Sequence, residues 1–298
     1  MKGYFWFFTL LGASLPASMA QWAWHQTLSP HFIVEHESTW MPPGFITNIE
    51  KMHGRLRMDL AIFSPGMADE RLQLYLYEKR QSYISGEFKP PNWSNGIAMY
   101  QMKTIALFDQ PNRRKLLEIL AHETTHLLFE GYWGESHKSP PSWLNEGLAM
   151  MEESQSLAAP EASGWYRSMA YLPRASLLPL GDFFKIKPSE DLQNDKNGQV
   201  GVWYVQAYSI VSFLYRQHSR IQFKDFCSRL RDGKDLQDTL WIVYRYRRFS
   251  DFEKAWLNWF QDPAHRSRVE KAPVEAEPKA QSDAPGFKPI KSFESFRH

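Results

Sequence analysis

The apolar positions change period partway along the chain. Residues 31–36 (His-Phe-Ile-Val-Glu-His) alternate, and Leu72, Leu74 and Leu76 alternate with Gln73, Tyr75 and Tyr77, as half-buried strands do. Between them, residues 46–62 take helical spacing after the breaker Pro42-Pro43-Gly44. Residues 89–96 read as a loop, and 97–100 with 104–108 as two strands of one hairpin. Past the turn at 109–112 the period becomes helical. Residues 113–129 predict a helix with Asn112 as its N-cap. Nearly everything from there to Phe260 predicts further helices, interrupted at Pro140-Pro141, Pro173, Pro188 and the polar loop 189–198. Strands first and helices afterwards predict an α+β fold, an N-terminal mixed sheet followed by a mainly helical half.

The two ends of the chain stand apart from this pattern. Lys2 precedes an apolar run over residues 4–15, Pro16 breaks it, and Ser18-Met19-Ala20 offers the small residues a signal peptidase reads. Residues 1–20 are therefore expected to be a signal peptide cleaved after Ala20. The apolar run falls short of the roughly 20 residues a spanning helix needs, and no later segment is apolar enough to span. The expected localisation is periplasmic or secreted. Residues 263–298, rich in Pro, Ala, Lys, Glu and Ser, predict a disordered tail. One domain over 21–262 remains, strand-rich over 21–112 and helical over 113–262.

Composition narrows the choices only a little. The chain of 298 residues carries a net charge of +2, so no global field favours nucleic acid, and the basic run 245–248 reads as solvated surface. The single Cys227 excludes an intrachain disulfide and reads as a small buried residue. Aromatic residues make up 15% of the chain, enough for a core built from large rings or for a ring-lined cleft. The residues carry no signal of oligomeric state.

The chemistry concentrates at the changeover from strands to helices. Residues 120–131 read Leu-Ala-His-Glu-Thr-Thr-His-Leu-Leu-Phe-Glu-Gly. On a helix, His122 and His126 at i and i+4 share one face and can aim both imidazoles at one point. Glu123 lies roughly 100° round from His122, within reach of a metal-bound water but not of the metal itself. After the turn-rich loop 131–141, residues 142–149 read Ser-Trp-Leu-Asn-Glu-Gly-Leu-Ala and start a second helix. Glu146 lies 20 residues past His126, room for a loop and an antiparallel return that brings its carboxylate to the histidines. Buried there without a cation, that glutamate would be costly; a divalent metal removes the cost. His137 in the loop is the alternative third ligand.

His-Glu-Thr-Thr-His followed by Trp-Leu-Asn-Glu-Gly resembles the gluzincin zinc metallopeptidases, and most closely the peptidase MA-like domain family. The metzincin pattern is absent, because Phe129 and Tyr132 stand where it requires Gly and His. The resemblance implies a zincin-like metallopeptidase fold, Zn2+ held by His122, His126 and Glu146, and Glu123 as general base. Residues 203–214 resemble the helix that carries the catalytic tyrosine of zinc aminopeptidases, with Tyr204, Ala207, Ile210 and Val211 matching. This implies Tyr204 as oxyanion donor, with Tyr208 and His218 behind it on the same helical stripe. Thermolysin-like enzymes carry an Asp four residues after the ligand Glu, where this chain has Met150. Glu153, two turns past Glu146, is the replacement expected to orient a zinc histidine, with Asn145 adjacent. Residues 95–100 resemble the amine-reading segment of the aminopeptidases but lack its Glu, which points toward endopeptidase action, and the strand from Gly96 can pair with a peptide backbone.

The expected function is a zinc-dependent peptidase acting on a peptide or protein substrate. The alternatives are a catalytically inactive binding or scaffold protein on the same fold, and a zinc amidase acting on cell-wall peptides.

Overall fold

A computed structural model describes residues 24–134, 136, 138–155, 159–191 and 198–273. The expected signal peptide, residues 274–298 of the expected tail, and His137 lie outside the described residues. Strands β1 (His25–Leu28), β2 (Phe32–His36), β3 (Leu72–Tyr77), β4 (Gly96–Met99) and β5 (Thr104–Phe108) form one mixed sheet in the order β1-β2-β3-β5-β4. β1 is antiparallel to β2, β2 and β3 are parallel, β3 and β5 are parallel, and β4 returns antiparallel on β5. The hairpin of β4 and β5 matches the sequence reading. The parallel pairs follow from the crossovers: helix α1 (Phe45–Leu60) joins β2 to β3, and helix α2 (Arg80–Ser85) lies in the connection from β3 towards the hairpin.

Each face of the sheet is covered differently. Phe32, Val34, Leu72, Leu74 and Leu76 are buried in the main core together with Ile49, Leu56 and Leu60 of α1. On the other face Tyr77, Tyr83, Ala106 and Phe108 make a smaller cluster packed by Trp24, Tyr75 and Phe88.

The helical half is built around α3 (Arg113–Gly134). Asn112 caps it, its Oδ1 accepting from the Lys115 backbone N–H at 3.2 Å. Leu116, Leu120, Ala121, Thr124, Leu127, Leu128 and Phe129 are all buried, so α3 is covered on most of its circumference and runs through the centre of the domain. α4 (Ser142–Gln155) packs on α3 and on α8 (Gln199–Arg216), with α5 (Gly164–Tyr171) beside α4 and α8 and the short α6 (Leu180–Phe183) and α7 (Pro188–Asp191) between α5 and α8 in the chain. The α4–α8 contact needs Gly147: a Cβ there would lie 2.4 Å from Val211 Cγ2 and 2.6 Å from the Ala207 carbonyl oxygen. That glycine follows Glu146 directly, so the close crossing fixes where Glu146 sits. The helices α9 (Arg220–Arg231), α10 (Leu236–Tyr244) and α11 (Phe249–Phe260) close the core, and Cys227 is buried among them. Among the described residues no helix is long and apolar enough to cross a membrane.

The observed architecture is the expected α+β one, a mixed sheet followed by helices. The expected tail begins too early. Helix α12 (Ala264–Lys271) packs against α5, with His265 buried. The His265 ring pairs through Nδ1 with the Tyr166 hydroxyl at 2.9 Å and through Nε2 with the Trp259 carbonyl at 2.9 Å, and Arg266 Nε donates to the Ala170 carbonyl. α12 buries only His265 and Val269 and docks largely through polar groups, which is why its composition read as tail.

Candidate active site

Local helix geometry places the first two groups. His122 and His126 project from one face of α3, their Nε2 atoms 3.0 Å apart and their ring planes at 82°. α4 returns alongside and sets Glu146 Oε2 3.7 Å from His122 Nε2 and 3.8 Å from His126 Nε2. Asn145, one residue earlier, ties the helices together by donating to Glu130 Oε1 of α3 at 3.0 Å. All three ligand atoms lie within 4.8 Å of one another. Tetrahedral ligands at 2.0–2.2 Å from a zinc ion stand roughly 3.3–3.5 Å apart, so the set fits a divalent cation with small adjustments.

Surrounding groups bias the charge of this cluster. Burial alone would depress the His122 imidazole, but Glu153, Glu123 and Glu146 around it raise its pKa to about 9. Glu153 Oε2 lies 3.2 Å from His122 Nδ1, on the opposite side of the ring from the convergence point. The Glu153 carboxylate accepts from Lys115 Nζ at 3.2 Å and from the Trp165 indole N–H at 2.9 Å. Burial opposes its ionisation, yet Lys115 and His122 hold its pKa down to about 2. Glu153 thus stands on the Nδ1 side of His122, while Met150 is wholly buried in the core.

Glu123 does not join the three ligand atoms. It lies beneath the edge strand β4, where a Cβ on Gly96 would meet its Cγ at 2.9 Å and Oε1 at 3.2 Å. Only a glycine lets β4 pass this close. Burial raises the Glu123 pKa, the two histidines lower it, and Glu146 and Glu153 raise it again, for a net increase. A carboxyl with a raised pKa beside a candidate metal is suited to exchanging protons.

The candidates on α8 separate. Tyr204 is half-buried, with its ring centroid 6.3 Å from that of Trp165. Burial raises its phenol pKa and the Glu146 charge raises it further. Tyr208, on α8, is buried in the core. His218 packs against Tyr244 and Phe213, with ring centroids at 4.6 Å and 5.8 Å, among the closing helices. Of the three, Tyr204 alone senses Glu146.

Sequence reasoning missed Lys115 and Trp165. Lys115 carried a usable signal: it stands seven residues before His122, two turns along the same face, as Glu153 stands seven after Glu146. Trp165 carried none, because its contact with Glu153 depends on how α5 docks. A second group, His31, Glu50 and His53, also brings three ligand atoms within 4.8 Å and was not singled out by the sequence.

No curated protein matches the chain. A family model described as the Peptidase MA superfamily matches residues 60–262. The match leaves out β1, β2, nearly all of α1, and α12, but spans α3, α4 and α8. Since it covers more than half of the chain and all three residues of the His122, His126 and Glu146 cluster, the protein belongs to the Peptidase MA superfamily and is a peptidase by family.

Proposed function

We propose that the protein is a periplasmic or secreted zinc-dependent endopeptidase, with His122, His126 and Glu146 holding the metal and Glu123 as the general base. The observation that carries this reading is the convergence of His122 Nε2, His126 Nε2 and Glu146 Oε2 with Glu123 beside but outside the set. Zinc, when bound, supplies a Lewis acid that acidifies water and polarises a carbonyl. Glu123 receives the proton of the attacking water and returns it to the departing amine. Tyr204 donates its hydroxyl proton in a hydrogen bond to the oxyanion, and burial keeps the phenol protonated so that it can donate. Glu153 holds His122 by Nδ1.

The edge position of β4 supports a peptide substrate bound as an added strand above Glu123. The absence of a Glu from residues 95–100 favours endopeptidase action. Export is supported by the N-terminal pattern of Lys2, the apolar run and Ser18-Met19-Ala20. The test is a peptide-library digest by the protein lacking residues 1–20, with and without chelator. The expected result is internal cleavage that chelation abolishes and added zinc restores. Cleavage untouched by chelation, or a protein that binds no zinc, would overturn the reading.

A further inference from the structure

Glu153 Oε2 approaches the His122 ring to 3.2 Å at Nδ1, and Glu153 is a long side chain two turns away from Glu146 on the same helix. A carboxylate orients an imidazole only as firmly as it is itself anchored. Here the anchors come from two other elements. Lys115 of α3 donates to Glu153 Oε1 at 3.2 Å, and Trp165 of α5 donates its indole N–H to Oε2 at 2.9 Å, the oxygen that faces His122 Nδ1 at 3.2 Å. α3, α4 and α5 therefore meet on one carboxylate.

We infer that Trp165 is a positioning residue for the metal centre, acting through Glu153 on His122, with Lys115 as its counterpart on the other oxygen. The inference rests on the zinc reading above. Trp165 suits the role physically. Its N–H sits in a rigid ring, so fixing the ring fixes the donor. The ring is half-buried and packs on the main core, and the next residue, Tyr166, is pinned to α12 through His265. The same indole lies 6.3 Å from Tyr204, the candidate oxyanion donor, with the planes at 35°. One side chain thus borders both the group that orients a ligand and the group that meets the substrate. Lys115 fixes the other end of the carboxylate, its Nζ 3.2 Å from Oε1.

Trp165→Phe keeps a ring and deletes the donor; Lys115→Met keeps the stem and deletes the charge. Zinc affinity is measured by competition with a chromophoric chelator, and ligand geometry by the visible spectrum of the cobalt-substituted protein. Both variants are expected to bind zinc about 10- to 100-fold more weakly, with a changed cobalt spectrum and an unchanged far-ultraviolet dichroism spectrum. A merely structural role would lower the melting temperature and leave the cobalt spectrum alone. Parental zinc affinity and cobalt spectrum in Trp165→Phe would overturn the inference. Lys115 is part-exposed, so Lys115→Met supplies the reading if Trp165→Phe does not fold, and parental behaviour there would overturn it equally. Failure of the parent itself to bind zinc, or retention of zinc by His126→Ala, would instead overturn the zinc reading beneath it.

Discussion

Among the described residues two groups each bring two histidines and one glutamate together, and they differ in how their lone pairs are used. In the group of His122, His126 and Glu146 the rings stand at 82° with Nε2 atoms 3.0 Å apart. An imidazole lone pair lies in the ring plane, so two steeply inclined planes share a line on which a cation can sit. In the group of His31, Glu50 and His53 the rings are stacked, with centroids 4.1 Å apart and planes at 18°. Nearly parallel planes offer no such nearby point. Glu50 is also already engaged: it accepts from the Ser29 hydroxyl at 2.6 Å and the His31 backbone N–H at 3.0 Å, and faces His31 Nδ1 at 2.6 Å. The other nitrogen of His31 meets the Ala68 carbonyl at 3.2 Å. This second group is a polar clasp joining the start of β2 to α1 and the turn at Pro65–Ala68. Proximity of the right residue types is common to both groups; ring orientation and competing hydrogen bonds separate them.

The sharpest way to break this contrast is to remove one histidine from each group. His126→Ala is expected to lose its zinc almost completely, whereas His53→Ala keeps one zinc per chain. Metal analysis after gel filtration decides it, and equal retention by the two variants would erase the distinction. Next in size is Glu123→Gln, which is nearly isosteric. It is expected to keep zinc and fold while turnover falls about 10²–10⁴-fold. Tyr204→Phe follows at about 10²–10³, since it deletes a single oxyanion donor. Steady-state rates on any peptide found by the library digest give the order. A Tyr204→Phe variant that loses more than Glu123→Gln would reverse the assigned roles.

One more histidine extends the comparison. His265, like His31, turns both ring nitrogens to fixed oxygens of the fold, whereas Nε2 of His122 and Nε2 of His126 turn to each other and to Glu146, so His265 belongs with the clasp. Cutting the chain after Asp262, where the family match ends, removes it together with α12 and strips the Tyr166 hydroxyl of its partner. A loss of roughly 1–3 kcal/mol is expected from the broken buried hydrogen bonds. Urea unfolding of the truncated protein checks this, and a midpoint equal to the parent's would show α12 to be dispensable.

How much of this could be read from the chain depends on how local each feature is. His122, Glu123 and His126 sit on one helical turn, so their geometry follows from the helix repeat. Glu146 was legible because a short loop and a returning helix leave few places for it. Glu153 followed from the same repeat. The parallel pairing of β2, β3 and β5 was not legible, because crossover connections leave no local mark. β1 is four residues with alternating burial and was overlooked. α12 was hidden by a surface that docks through His265 and Arg266. Trp165 and the stacked pair His31 and His53 depend on docking between separate elements, which no spacing records.

The smallest expected effect is on stability against pH, and there the two groups have opposite signs. His53 is buried, and burial first, then the neighbouring His31, lowers its pKa to about 4, with Glu50 opposing and Arg57 adding to the shift. An unfolded histidine titrates near 6.5. Between about 6.5 and 4 the unfolded chain therefore holds the proton that native His53 refuses. Its contribution to stability is full above 6.5 and declines as the pH falls, by at most about 1.4 kcal/mol per unit. His122 runs the other way in protein stripped of metal. Its pKa is raised to about 9, so the native state holds a proton the unfolded chain gives up, and that contribution is present below 6.5 and lost as the pH rises through 9. Urea midpoints measured from pH 4 to 9 in chelator should show both limbs superimposed on those of other groups, so the differences from variants carry the information. His53→Phe, which keeps a stacking ring, should flatten the acid limb and leave the alkaline one. Adding zinc should remove the alkaline limb and steepen the acid one, because a zinc-bound imidazole has released its proton to solvent whereas an unfolded histidine takes one up below about 6.5. An acid limb unchanged in His53→Phe would mean that the buried ring does not titrate with the fold. An alkaline limb indifferent to zinc would mean that His122 is not where the metal goes.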